Sequence, residues 1–413
     1  MELTPEDILK KRVRLFKNRD VFFHDYIPEK LHGRDQQIKE LASHVRPALD
    51  GDRPGNLIIY GVPGSGKTAV TLYTLNILKK VAKDENVLDL IHIVYIPCPE
   101  ARTPTYLLQR IINELSYEKI KLSGWGLAVY IETLKKIIRS LSGNVLLFLD
   151  EIDKVRNLDD VLYTITRFKT GEGAKVSLVG ISNNLKFSEG LDPRVRSSLG
   201  SKKLFFPPYS ANDLICILED RVNQGIVEGV LNEEVVPYCA AIAAQKEGDA
   251  RFAIDLLREA VFIAEGENSQ KVEKHHVDQA AEKLESDFIK KAVSELTIHQ
   301  QLVLLAIAVF QELGKSSATT GDVYTSYQIF CSYIGLKPST RQWVSETIGT
   351  LELLGIVNSI TRSRGRYGRT RYISLGAPPK YVIESILKTE RFSRLRQNYI
   401  HYINDIRRKL HIG

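Results

Sequence analysis

The chain is poor in the residues and patterns that mark several large protein classes. It has four cysteines in 413 residues, Cys98, Cys216, Cys239 and Cys331. They are scattered without any C-x-x-C spacing, which excludes a disulfide framework and a zinc ribbon and fits a reducing interior. The longest strictly apolar run, residues 302–310, covers nine positions, far short of the roughly 20 that a membrane-spanning helix needs. The opening residues Met1-Glu2-Leu3-Thr4-Pro5-Glu6-Asp7 lack the apolar core of a secretion signal. A cytoplasmic protein without a membrane partner is the expectation. There is no internal repeat and no low-complexity tract. What is present is ordinary soluble composition, 43% hydrophobic and 26% charged, at a length that suggests two or three domains.

The net charge of +7 is unevenly placed. Residues 1–290 carry 40 Lys and Arg against 42 Asp and Glu, a net of −2, whereas residues 291–413 carry 17 against 8, a net of +9. Arg362, Arg364, Arg366, Arg369 and Arg371 crowd into ten positions of that basic part. Halves of opposite sign suggest one part for internal chemistry and another for a polyanion. Residues 1–20 read as a basic amphipathic helix with Ile8, Leu9, Val13 and Phe16 on one face. A solvated helix packed on the body and a DNA-touching arm are both open readings.

From about 56 to 200 the pattern alternates strand and helix. Residues 57–60, 90–96, 145–149 and 176–181 are apolar runs of buried-strand type, which predicts a parallel sheet covered on both faces. The first run leads into Gly61-Val62-Pro63-Gly64-Ser65-Gly66-Lys67-Thr68, which fits G-x-x-x-x-G-K-[ST]. Glycines let the backbone curl so that its N–H groups converge on phosphate oxygens. Lys67 would bring a point charge to the β- and γ-phosphates, and Thr68 a hydroxyl to Mg²⁺. The third run delivers Asp150 and Glu151 at its C-terminal end, where open α/β sheets hold their ligands. Asp150 would complete the Mg²⁺ shell and Glu151 would activate the attacking water, a combination that points to ATP hydrolysis.

The fourth strand ends in Ser182-Asn183-Asn184. An amide there can hold the attacking water or sense the γ-phosphate, or the asparagines can simply make a turn. Arg194, Arg221 and Arg251 follow, each by composition alone a surface or helix-end charge. Residues 210–285 read as a small all-helical domain.

The basic part reads as three helices and a ribbon. Residues 292–313 form the first helix and 322–334 the second. Ser339 caps the third, with Gln342 three residues on. Val344, Ile348, Leu351 and Leu354 face inward, and Gly355 stops it. Residues 356–360 and 371–375 would be strands around Arg364-Gly365-Arg366-Tyr367-Gly368. Such a winged helix places its third helix in the major groove with Thr340, Arg341 and Ser345 on the open face. Arg362, Arg364, Arg366 and Arg369 would follow phosphates or enter a narrow minor groove. Winged helices also serve as protein-interaction modules, and the five arginines favour DNA.

Motifs 61–68 and 147–151 with Asn183 and Arg251 stand in the order of the AAA+ ATPases. With Tyr26-Ile27-Pro28-Glu29, Gly33-Arg34-Asp35, and residues 180–184, 191–199, 206–210 and 248–257, the chain resembles the archaeal-type origin recognition and cell-division-control initiator family over nearly its whole length. The resemblance implies an AAA+ P-loop α/β body at 1–207, an all-helical lid at 208–288 and a winged-helix DNA-binding domain at 289–413. It assigns Asn183 to sensor 1, Arg251 to sensor 2, and Tyr209 and Arg221 to lid-side nucleotide positions, beside contacts from Gly64, Ser65, Gly66, Lys67, Thr68 and Ala69. Arg194 matches the arginine finger acting on a neighbouring subunit's ATP, with Arg196 close by as the rival. A helical insertion at 101–140 would contact duplex DNA.

The function so implied is an ATP-dependent replication initiator. It would bind double-stranded origin DNA at the nucleoid, work with paralogous initiator subunits, recruit the minichromosome maintenance helicase and hydrolyse ATP slowly to ADP. A branch-migration motor and an ATP-switched transcription regulator are the competing readings.

Overall fold

The structure, a computed structural model, describes residues 13–24, 26–116, 124–168, 173–200, 202–363 and 369–409. Positions 1–12 of the expected N-terminal helix, and Arg364, Arg366 and Tyr367, lie outside the described residues. The chain forms two compact units, Met1–Val277 and Asp278–Gly413.

The first unit is built on a parallel sheet of β1 (Leu57–Gly61), β2 (Ile91–Pro97), β3 (Asn144–Asp150), β4 (Lys175–Ser182) and β5 (Lys203–Phe206), in the order β2-β3-β4-β1-β5. Every residue of β1 and β3 is buried, as strands covered on both faces must be. Helices α1 (Asp35–Val45) and α2 (Lys67–Asp84) send Leu41, Val70, Leu75 and Leu78 onto one face. Helices α3 (Pro104–Leu115) and α4 (Leu127–Ser140) send Leu107, Ile111, Leu134 and Ile138 onto the other. The 101–140 stretch is therefore part of the body's core as well as its surface. Strand β5 was not expected: it is four residues long at the sheet's edge, with Lys203 and Phe205 turned outward, so it lacks the continuous apolar signal of the others. Helices α5 (Asp159–Thr166) and α6 (Pro193–Leu199) complete the body.

The lid comprises α7 (Ala211–Gly225), α8 (Val235–Gln245) and α9 (Ala250–Gly266), followed by α10 (Lys274–Glu295), within which the two units divide. The two compact units meet between Val277 and Asp278, inside this helix. Ser210 and Asp213 cap α7 reciprocally, and Asp249 caps α9.

Residues 13–18 are not helical. Leu15 and Phe16 are adjacent and both buried, and Phe16 bridges to Ile226 in antiparallel fashion. The Lys17 N–H donates to Gly225 O at 2.8 Å and the Val227 N–H to Leu15 O at 2.9 Å. The Leu15 and Phe16 N–H groups donate to Glu265 Oε1 at 2.8 and 3.2 Å, and Arg19 pairs with Glu265 Oε2 at 2.7 Å. A helix would satisfy these amides internally; a strap across the lid satisfies them from α7 and α9 instead, and seats Phe16 against Phe22 and Phe262.

His44, buried near the end of α1, gives the body an acid-sensitive point. Burial, aided by the Lys202 charge and opposed by the Gly55 backbone, pushes its imidazole down to about 4. The unfolded chain takes up that proton near 6.5, so stability falls as pH drops from there toward 4. Urea unfolding of the Met1–Val277 unit is expected to lose about 2 kcal/mol between pH 7 and 5 through this residue. A His44→Gln variant should lack that component; an unchanged pH slope would assign it elsewhere.

The second unit is a winged helix. Helix α11 (Ile298–Glu312) is buried from Gln301 to Phe310 and forms its axis. The expected single helix over 292–313 is broken before Ile298, where Thr297 and Gln300 form a capping box. Helices α12 (Thr320–Tyr333) and α13 (Arg341–Leu353) pack on α11. The N-cap of α13 is Thr340, not Ser339: the Ser339 N–H donates to the Tyr327 hydroxyl at 2.9 Å, which holds it in the loop. Val344, Ile348 and Leu351 face the core as expected, but Leu354 lies past the helix end and is exposed. Strands β6 (Ala318–Thr319), β7 (Val357–Ser363) and β8 (Arg369–Leu375) form an antiparallel sheet in the order β6-β8-β7. Helices α14 (Pro379–Leu387), α15 (Ser393–Gln397) and α16 (Tyr399–Lys409) close the unit.

Candidate functional site

The parallel register brings the C-terminal ends of β1, β3 and β4 together, with Tyr60 opposite Ser182 and Leu149 opposite Gly180. Over that edge lies a cavity of about 330 Å³, walled by the phosphate loop, the lid and the segment after the strap. Gly64, Gly66, Lys67, Thr68 and Ala69 form its floor. Gly66 has φ 84° and caps α2, and a Cβ there would strike the Tyr209 hydroxyl. Only glycine fits both constraints. Ser65 is buried beneath the loop and donates to Val62 O at 2.7 Å rather than lining the cavity.

Lys67 Nζ donates to the carbonyls of Gly61 and Val62 at 2.9 and 2.7 Å. Burial pushes its ammonium down to about 8 despite the attraction of Asp150. It is a desolvated cation that lines the cavity. Thr68 Oγ1 donates to Asp150 Oδ2 at 2.7 Å, and the Tyr95 hydroxyl reaches the same oxygen. A hydroxyl and a carboxylate that meet this way form an all-oxygen donor pair suited to a hard cation such as Mg²⁺. The Glu151 N–H donates to Asp150 Oδ1 at 2.9 Å, and Glu151 itself stands at φ 51°. A non-glycine residue held there carries roughly 1 kcal/mol or more of strain, which is common at reactive positions.

Asn183 lines the cavity, while Asn184 makes the turn by accepting the Lys186 N–H on Oδ1 at 2.9 Å. The turn reading is thus carried by Asn184, and Asn183 is the asparagine that faces the cavity. Tyr209, Arg221 and Arg251 line the lid side. Arg221 donates to Val21 O at 2.9 Å and stacks over Tyr26 at 4.3 Å, which joins the lid to the strap. Arg194 is absent from this lining; its side chain is 73% exposed and pairs with Asp192 at 3.0 Å.

Sequence reading assigned no role to four residues that organise the site. Tyr95 buttresses Asp150, and burial next to that carboxylate pushes its hydroxyl pKa up. Asp153 accepts Ser182 Oγ at 2.8 Å and the Asn183 N–H at 3.2 Å. Buried Arg34 stacks on Tyr209 at 3.6 Å and donates to Ser65 O and Pro207 O at 2.9 and 2.7 Å. Tyr26, with Ile27 and Pro28, walls the cavity. The stretches 26–29 and 33–35 were the available signal, without a role attached.

On the winged helix, Arg341 is exposed, Ser345 half-buried, and the Thr340 hydroxyl accepts the Trp343 N–H at 3.2 Å. Arg362 lies over Tyr372 at 5.8 Å, and Arg369 pairs with Ser363 in the strand register, both exposed. Arg371 differs from its neighbours. It donates to Glu352 Oε2 at 2.5 Å and Ser359 Oγ at 2.8 Å, fastening the ribbon to α13.

Three family models match the chain: an AAA domain over residues 50–186, the Cdc6 AAA+ ATPase-type lid domain over 215–282, and the CDC6 C-terminal winged helix domain over 291–385. The structure of the Aeropyrum pernix ORC1 protein in complex with DNA is similar at a TM-score of 0.80 and 39% identity, covering 92% of this chain and 99% of that one. The crystal structure of CDC6P from Pyrobaculum aerophilum is similar at 0.58 and 26%, covering 91% and 98%. The ORC1-type DNA replication protein of Thermococcus onnurineus is 42% identical over 91% of each chain. The phosphate loop, the helical lid and the winged helix therefore assemble, in one continuous match, a member of the ORC1-type DNA replication protein family.

Proposed function

We propose that the chain is an ATP-switched replication initiator that binds double-stranded origin DNA through its winged helix. The observation that carries the switch is the seam between lid and phosphate loop. The Ala250 N–H, at the start of α9, donates to Gly64 O at 3.3 Å, and a Cβ on Gly64 would strike the Asp249 carboxylate. Whatever occupies the phosphate loop therefore sets where the lid rests. In this reading Lys67 and the loop amides hold the phosphates, and Arg251 reaches them from the lid. Thr68 and Asp150 hold Mg²⁺, which when bound neutralises phosphate charge. Glu151 orients the attacking water and Asn183 contacts the γ-phosphate. The test is duplex affinity measured with a non-hydrolysable ATP analogue and with ADP. A difference between the two is expected; equal affinities would sink the switch.

Hydrolysis is slow and regulatory, because Arg194 is turned away from its own cavity and would serve the ATP of a neighbouring paralogous subunit. Arg194→Ala should leave nucleotide affinity of the monomer unchanged and remove the rate gained on assembly. Fast multiple-turnover hydrolysis by isolated monomer would overturn this. The 101–140 helices add a second duplex contact, and the bound complex recruits the minichromosome maintenance helicase at the nucleoid. A map of binding sites against replication start sites separates this reading from a promoter-bound regulator.

A further inference from the structure

A second cleft lies in the Met1–Val277 unit, beside the N-terminal start of β1 and away from its phosphate-loop end. Its volume is about 390 Å³, and α1, the 53–56 stretch, α6 and Lys202 wall it. Arg53, Lys202 and His44 face it, and among the described residues no carboxylate lines it. Arg53 is half-buried, and its one hydrogen bond among the described residues is a long one, NH2 to Thr166 O at 3.5 Å. Burial lowers its pKa, as expected for a cation short of a counter-ion. His44 is 4% exposed, yet its Nε2 finds no hydrogen-bond partner among the described residues. Asn56, by contrast, is satisfied twice, donating to Ser198 O at 3.0 Å and accepting the Leu178 N–H at 3.0 Å. Arg53 is thus a cation with one long hydrogen bond, and the unpartnered His44 Nε2 becomes a donor when the imidazole is protonated.

We propose that this cleft is a phosphate-binding pocket, distinct from the nucleotide site, in which Arg53, Lys202 and His44 hold the oxyanion. A tetrahedral phosphate suits the set. The planar Arg53 fork can take two of its oxygens, Lys202 supplies a point charge, and protonated His44 donates to a third. An anion beside His44 would offset the burial and the Lys202 charge that hold its imidazole neutral. The phosphate can come from a free phosphate or from the backbone of bound duplex, and the chemistry of the pocket is the same for both.

The test uses the full chain saturated with ADP, so that the phosphate loop is already filled. Inorganic phosphate is titrated calorimetrically into wild type and into the double variant Arg53→Gln, Lys202→Gln. Saturable binding is expected in wild type and a loss of at least tenfold in the variant, with ADP affinity unchanged because neither residue lines the nucleotide cavity. Absence of saturable binding in wild type, or equal binding in both, overturns the proposal. So does a variant that differs only in melting temperature, since the two cations would then merely complement the carbonyl ends of α1 and α6. Duplex binding separates the sources. A salt slope lower by about one in the variant identifies backbone phosphate as the occupant, and an unchanged slope beside lost phosphate binding identifies the free anion.

Discussion

Replacing Lys67 with alanine is expected to abolish nucleotide binding while leaving the fold intact and non-specific DNA affinity nearly unchanged. The ammonium is buried and rests on two loop carbonyls. Its pKa stands near 8, below its ordinary value, so at pH 7 it is charged in both folded and unfolded chains and the folded state bears the desolvation. That penalty is on the order of 3 kcal/mol. Bound phosphate repays it, which places the residue's stabilisation in the complex rather than in the fold. The alanine variant should therefore lose at least about 100-fold in ADP and ATP affinity, the scale for removing one partner of a desolvated charge pair. Its urea midpoint without nucleotide should be no lower than that of wild type. Fluorescent-nucleotide titration and urea unfolding measure the two quantities separately. Equal loss of nucleotide and duplex affinity would break the division into a nucleotide machine and a DNA module.

The parts of this site that were readable in advance are those whose chemistry is local in sequence. A strand, a glycine turn and a lysine at fixed spacing specify the phosphate loop within eight residues, and an apolar strand ending in Asp150 and Glu151 specifies its partner. The residues that escaped assignment work across distance. Arg34 acts on Ser65 and Pro207, positions 31 and 173 residues away, and Tyr95 acts on Asp150, 55 away. A single buried arginine or tyrosine carries no periodic or spacing signal for such a contact, because the contact exists only once the sheet order is set. The N-terminal strap failed for a related reason. Its spacing of apolar residues suits a helical face, but Glu265, some 250 positions on, offers its backbone amides a better arrangement. Charge counting likewise located the basic ribbon without separating its members, since composition cannot tell a free guanidinium from one already paired.

That separation gives the second large expected effect. Arg362 and Arg369 are exposed on the ribbon, whereas Arg371 is bound to Glu352 and Ser359. If the ribbon follows duplex phosphates, replacing Arg362 and Arg369 together with alanine should lower the salt slope of log K by about 0.9 for each phosphate no longer neutralised. Adding Arg364→Ala and Arg366→Ala should extend the fall in the same increments, since each arginine releases its own counter-ion. At 0.15 M salt the four-residue variant should bind duplex at least about 100-fold more weakly than wild type. Arg371→Ala should behave otherwise. Its removal frees Glu352 and unfastens β8 from α13, so the melting temperature falls while the slope stays near the wild-type value. An unchanged slope in the four-residue variant would remove phosphate contact from the ribbon, and a reduced slope in Arg371→Ala would show that its ion pair opens on DNA. The contrast of Arg371 with Arg362 and Arg369 follows from one distinction among the described residues, that only Arg371 of these three is held in an ion pair, and a salt series on these variants reads it directly.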